Sequence, residues 1–395
     1  MLKPKQIKKF QGHLYFRQRI AMSILSGIPV RIDEIRSDLD TPGLRDYEVS
    51  ILQIAEKLTN GTVIDISYTG TSILLKPGVI IGGRITHECP VSRGLGYFLE
   101  FIISFSLFAK SPVDAKLFGL TNNSIDISVD AFRTVTLPIL KYYAKFESGL
   151  ELQIVKRGLF PKGGGEVKLN CPIVPNMLGP IRSITPGLIS KIRGVAYSAR
   201  VNPQSTNRMV EQARAVLGQF SSDIYLYTDV YSGKESGLSP GFGIVLVAET
   251  TSNCLISSEL CAEPSTQKSQ QSQDLEANSE NLDQSSNQTP EDIGAKCAYQ
   301  LLTEISKSGT CDSYHQWLYL LLMTLSSEDV SKVNFGKLNK FTVQYLRDLK
   351  EFFNISFKIE PSSITRPNSD NSKSSSSINL TCVGIGYSNV NKKKT

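Results

Sequence analysis

The run KRGLFPKGGGEVKL, Lys156 to Leu169, sets Gly163, Gly164 and Gly165 in a row among Lys156, Arg157 and Lys162. Without a Cβ, such residues let the backbone turn sharply or approach a ligand closely. A loop of this kind can aim backbone N–H groups at phosphate. Phosphate loops, however, open into a helix, and these glycines open into EVKL, which alternates as a strand does. The run fits neither GxGxxG nor GxxxxGKS/T. Spacing alone favours a hairpin with a bulge, while the three cations keep an anion-contacting role open.

The elements around the run are periodic. Leu14 to Ser26 reads as a helix closed by Gly27, and LRDYEVSILQIAEKLTNG as a helix ended by Gly61. PVRIDEIRS, TVIDISYTG and SILLKPGVIIGG read as strands. A helix from Ser128 to Phe146, the strand GLELQIVKRG, the glycines and EVKLNCPIV repeat that order. A third pass is expected to start at a helix from Ile293 to Ser306. It continues through helices Tyr314 to Leu325 and Phe341 to Phe353 and the strands ISFKIE and INLTCVGIGYS. Ile184 to Leu260 reads differently, as strand, helix, strand, strand. Two polar tracts, Glu263 to Pro290 and Pro361 to Ser377, hold too little apolar surface to offset the entropy of ordering and are expected to be disordered. The predicted fold is α/β (α+β): three repeated α/β units interrupted by a small inserted α/β domain. The expected boundaries are 1–182, 183–292 for the insertion, and 293–395.

The 395 residues carry a formal charge of +6, a mild excess compatible with nucleic acid but not diagnostic of it. Seven cysteines, Cys89, Cys171, Cys254, Cys261, Cys297, Cys311 and Cys382, form no CxxC pair and suggest reduced thiols. His13, His87 and His315 lack ligand spacing, so no metal site is expected. The most apolar run, YFLEFIISFSLFAK, contains Glu100 and is too short to span a bilayer. No signal peptide is read at the N-terminus, and a soluble intracellular protein with no membrane partner is expected.

Taken together, KRGLFPKGGGEV, TNGTVIDISYTGTSILLKPGVIIGG, KIRGVAYSARV, SGLSPGFGIVLVAE and CVGIGYSN resemble the RNA 3'-terminal phosphate cyclase family, and within it the eukaryotic cyclase-like branch. The resemblance implies three repeated units and an insertion, as read above. It also implies a nucleolar protein of small-subunit ribosome assembly, bound to a ribosome-biogenesis GTPase within the small-subunit processome and acting on pre-ribosomal RNA.

Two departures bear on activity. The cyclases of the family use an adenylylated histidine near the start of a late helix. The matching run GKLNKFTVQYLRDLKEF has none, and Asn339 or a close neighbour stands in its place. The acidic, glycine-rich opening loop of cyclases is FQGHLYF here, without a carboxylate to hold magnesium. His13 reads as a surface residue at the helix start, and His315 as packed or on the surface of a mostly buried helix. No cofactor is therefore expected.

An anion-accepting surface is expected from Arg17, Arg19, Arg36, Arg45, Lys156, Arg157, Lys162 and Arg193 beside Gly163, Gly164 and Gly165. In the cyclase-like branch, an Arg-Asp-x-Lys set has been proposed to cut precursor RNA, which here maps to Arg347, Asp348 and Lys350. On an ideal helix Val343, Leu346, Leu349 and Phe353 would be buried, and Arg347 would pair with Glu351. Asp348 and Lys350 would point about 160° apart, given roughly 100° per residue. The readings carried forward are a non-cyclase assembly factor, an endoribonuclease, and an active ATP-dependent cyclase.

Overall fold

A computed structural model describes residues 6–262, 289–362 and 377–389. The interiors of both polar tracts lie outside the described residues. Their edges are ordered: Thr289 and Pro290 begin a helix, and Pro361 ends a strand.

The first unit comprises β1 (Lys8–Gln11), α1 (Phe16–Ser26), β2 (Val30–Asp33), α2 (Asp46–Leu58), a short β3 (Thr59–Asn60), β4 (Val63–Ile66) and β5 (Ile73–Lys76). β3 pairs with β6 (Val79–Ile80), so α2 ends at Leu58 rather than at Gly61. The second unit comprises β7 (Gly82–Glu88), α3 (Leu95–Ser106), β8 (Ser111–Gly119), α4 (Val129–Ala131) running through a π-turn into α5 (Leu137–Ala144), β9 (Glu151–Lys156) and β10 (Gly165–Cys171). The third opens with β11 (Arg182–Ser183) and is then interrupted by the insertion. That unit contains β12 (Ile189–Ala199), α6 (Gln204–Leu217), β13 (Ile224–Tyr231), β14 (Gly241–Thr250), β15 (Leu255–Cys261) and α7 (Pro290–Ser306). The third unit resumes with α8 (Gln316–Leu325), β16 (Val330–Phe335), α9 (Lys340–Phe353), β17 (Lys358–Pro361) and β18 (Ile378–Val383).

The three sheets share one topology. Their orders are β1-β2-β5-β4, β7-β8-β10-β9 and β11-β16-β18-β17. In each, the first two strands are parallel and the last two form an antiparallel hairpin. A parallel pair needs a crossover, which α1, α3 and α8 supply. The faint repeat in the sequence is thus a full repeat in topology.

Helices α1, α3 and α8 are buried along nearly their whole length. α3 and α8 are apolar nearly all round, as buried helices are, which is why the YFLEFIISFSLFAK run is so hydrophobic, whereas α1 also buries Arg17, Gln18 and Arg19. α1 stops where Gly27 takes a left-handed conformation (φ 62°). α9 starts where the Asn339 side chain accepts the Thr342 N–H.

The insertion has its own core. Ile192, Ala196, Ile244 and Leu246 of its sheet pack on Met209, Ala213 and Leu217 of α6 and on Ile293, Cys297, Ala298, Leu301 and Ile305 of α7. α7 therefore closes the inserted unit and does not begin the third repeat. The core of the small unit runs to Ile305 and not to position 292.

Candidate nucleic-acid interface

Four of the arginines expected on a surface lie inside the protein. Arg17 projects from α1 onto α3: Nη2 is 2.7 Å from Glu100 Oε2, and Nη1 donates to the Tyr97 carbonyl at 2.9 Å. Arg19 faces α9, with Nε 3.3 Å from Asp348 Oδ2 and its guanidinium over the Phe10 ring at 4.3 Å. Arg36 grips both oxygens of Glu48 at 2.7 and 3.0 Å. Arg157, fully buried, holds Asp130 at 2.6 and 3.0 Å and reaches Asp229 of β13 at 3.1 Å. Its guanidinium lies over the rings of Tyr197 and Tyr231. A buried carboxylate is tolerated only when paired, and Glu100, Asp348, Glu48 and Asp130 each have an exposure of 1% or less. These arginines are committed to carboxylates and are not available to RNA phosphates.

The remaining candidates divide differently. Arg45 is half-buried at the start of α2, donating to Thr41 Oγ1 at 2.7 Å. Lys156 and Lys162 are exposed. Arg193 is half exposed on the inserted sheet, 3.0 Å from Glu249. The glycine run is a hairpin turn between β9 and β10, with a register shift between Glu166 and Val167. Gly163 and Gly164 have φ of 65° and 78°, and the Gly163 carbonyl accepts the Leu238 N–H from the inserted unit. A Cβ on Gly164 would stand 2.9 Å from Leu238 Cγ. The close approach that Gly164 permits is to Leu238 of the inserted unit, while Gly165 lies against Gly158, Thr121 and Gly119 of its own unit.

On α9 the structure separates the Arg-Asp-x-Lys set. Asp348 is buried, bonded to Arg19 and to Gln344 Nε2 at 2.8 Å. Burial pushes its carboxyl above the ordinary aspartate value in spite of Arg19. Arg347 and Lys350 are exposed. The buried face is Phe341, Thr342, Tyr345, Asp348, Leu349 and Phe352, rotated from the expected one, and Val343 is 39% exposed. Arg347 contacts Gln344 Oε1 at 3.4 Å, whereas Glu351 pairs with Lys8 at 3.1 Å. Lys340, Val343, Arg347 and Lys350 follow i, i+3, i+7, i+10 spacing and so share one exposed stripe. Sequence reasoning missed Lys340, although its seven-residue offset from Arg347 carried the signal.

None of the three histidines lies on α9. His315 is buried, with Nδ1 2.8 Å from Asp312 Oδ1 and Nε2 3.0 Å from Thr136 Oγ1. Burial disfavours its cation, but Asp312 outweighs burial and holds the imidazole above its ordinary value. His87 is bonded through Nε2 to Ser50 and through Nδ1 to Lys57, and burial with the Lys57 charge lowers it to about 4. His13 is half-buried in the turn before α1 rather than on the surface. At the start of α9, Asn339 accepts the Thr342 N–H at 2.7 Å and donates to the Ser313 carbonyl at 3.3 Å. Among the described residues, no cluster of His, Cys, Asp or Glu could hold a metal ion. No helix among them is long and apolar enough to cross a membrane.

The topology and the α9 seam invite comparison with known proteins. A profile described as RNA 3'-terminal phosphate cyclase matches residues 8–359. The chain belongs to the RNA 3'-terminal phosphate cyclase family. Its relatives include an RNA 3'-terminal phosphate cyclase-like protein of Dictyostelium discoideum, 46% identical and covering 97% of this chain and 98% of that one. The cyclase-like protein of Homo sapiens is 45% identical, with 97% of each chain covered. A Schizosaccharomyces pombe relative, 43% identical with 98% of each chain covered, is named rRNA processing protein rcl1. Within the family, this chain keeps the cyclase-like pattern read from its sequence, with a capping asparagine at the start of α9.

Proposed function

We propose that the chain is a non-cyclase family member that acts in processing of ribosomal RNA. In this reading it works in early small-subunit pre-rRNA processing and 40S assembly in the nucleolus, within the small-subunit processome and bound to a ribosome-biogenesis GTPase. One observation carries the non-cyclase part: α9 offers no imidazole, and Asn339 is spent on capping the helix. The printed name of the fission-yeast relative supports the rRNA part. The basic stripe of Lys340, Arg347 and Lys350 supports contact with RNA phosphates, because exposed cations on one helix face act together on a charged backbone.

The endoribonuclease reading would need Asp348 to face the same phosphate as Arg347 and Lys350. Its carboxylate instead bonds Arg19 inside the seam, so the stripe is read as binding RNA without cutting it.

The test is depletion of the protein in its own cells, with pre-rRNA followed by northern blot. The reading expects unprocessed small-subunit precursor to accumulate, and normal processing to return when the wild-type chain is restored. Unchanged precursor levels after full depletion would refute it.

A further inference from the structure

The inserted sheet carries both of its helices on one face. Its other face looks across a cleft of 570 Å³ toward α5. The cleft is lined by Arg193 and Val195 of β12, Tyr227 of β13, Val245 and Val247 of β14, and Tyr142 of α5. Arg193 is paired in register with Tyr225, so Tyr225 stands on the same sheet face beside it. Tyr142, Tyr225 and Tyr227 are 64%, 50% and 62% exposed. Two rings on the sheet face and one on α5, open around a guanidinium, form the kind of exposed patch that marks a binding surface.

The charges narrow the occupant. Asp130 and Asp229 are held by Arg157, with Arg133 also 3.6 Å from Asp130. Glu249 is held by Lys191 and Arg193. Four cations thus meet three carboxylates, and no unpaired negative charge faces the cleft among these pairs. Two helices behind a four-stranded sheet, with aromatic rings on the open face, is the arrangement by which RNA-recognition domains stack unpaired bases. Base stacking on tyrosine tolerates any base, and an adjacent arginine adds a cation–π or phosphate contact.

We infer that this face binds single-stranded RNA, with unpaired bases stacking on Tyr142, Tyr225 and Tyr227 and with Arg193 beside them. The choice of RNA as occupant rests on the function proposed above. The site is separate from the α9 stripe: its recognition is by stacking, that of the stripe by charge.

The test uses the purified full chain and fluorescein-labelled oligo(U) and oligo(A) of about ten nucleotides, a length within single-strand site sizes. Fluorescence anisotropy gives affinity, and ultraviolet cross-linking with mass spectrometry gives location. Tyr142→Ala with Tyr227→Ala is expected to weaken binding by ~tenfold or more, at one to a few kcal/mol per stacked base. Tyr227→Phe, which keeps the ring, should bind as wild type does. Cross-links should fall on peptides containing Tyr142 or Tyr225 and Tyr227. Wild-type affinity in the double alanine variant, or cross-links confined elsewhere, would overturn the site while leaving RNA binding by the chain intact. That outcome would point to a protein strand covering the face. Failure of the wild-type chain to bind either oligonucleotide would overturn both the site and the RNA-contact part of the proposed function.

Discussion

Arg19 and Asp348 meet at 3.3 Å across the seam between the first helix and the last, although 329 positions separate them in the chain. The contact joins the first repeat to the third. It also removes the only carboxylate of the Arg-Asp-x-Lys set from the surface. Breaking it from the arginine side leaves a buried, unpaired carboxylate. Arg19→Ala is expected to cost about 3 kcal/mol, the low end for an orphaned buried charge. Asp348→Asn leaves the Arg19 guanidinium without a counter-charge but keeps an amide oxygen to accept from its Nε, with the Phe10 ring still beneath it, and should cost less, about 1–2 kcal/mol. Urea denaturation of the two variants checks the order.

Arg157 pins the insertion to the second repeat through Asp130 and Asp229. Asp130 is fully buried and accepts from Arg157 and Asn122, with the Arg133 guanidinium 3.6 Å away. Arg157→Ala should therefore destabilise the fold by about 3–5 kcal/mol. Limited proteolysis should then cut preferentially near 232–240, where Gly237 and Leu238 lean on the Arg157 segment. Wild-type resistance to protease in that variant would show that the insertion is held by other contacts.

Glu259 gives the fold a pH dependence of known sign. Burial raises its carboxyl from 4.5 to about 7, even though both oxygens accept the Ser128 N–H. A raised acid favours the folded state while protonated. Its contribution is present below about 4.5 and is lost as pH rises through about 7. Glu259→Gln should abolish that loss, so its stability relative to wild type should rise between pH 5 and 8 by up to about 3 kcal/mol. Thermal melts at several pH values measure the difference. A constant offset across that range would mean that Glu259 ionises normally in the fold.

The α9 stripe should act through charge alone. Removing Lys340, Arg347 and Lys350 together should weaken RNA binding at every sequence. It should also reduce the slope of log affinity against log salt by about 2, given roughly 0.7 per phosphate contact on a single strand. The three side chains are exposed, so the melting temperature should hardly move. Salt-dependent anisotropy on the variant and wild type provides the comparison.

The sequence revealed helices and strands where apolar spacing was regular, and the opposition of Asp348 and Lys350 followed from helix period alone. The glycine triplet was legible as a bulged turn because a strand follows it. What it turns against was not legible, since Leu238 is contributed by the insertion. Nor was the burial of Arg17, Arg19, Arg36 and Arg157. An arginine reads as surface until its carboxylate is located, and for Arg17 and Arg19 that carboxylate lies on another repeat. α7 was assigned to the wrong unit for a related reason. Its apolar stripe is the same whichever sheet it covers, and only the packing of Ile293, Cys297 and Leu301 decides between them.

The measurement closest to the central claim is incubation of the purified chain with α-labelled ATP and an RNA ending in a 3'-phosphate. Protein and RNA are then resolved separately. A chain whose last helix begins at a capping asparagine should yield neither a protein–AMP adduct nor a 2',3'-cyclic end. Covalent label on the protein, or conversion of the RNA terminus, would contradict the assignment of this family member as a non-cyclase.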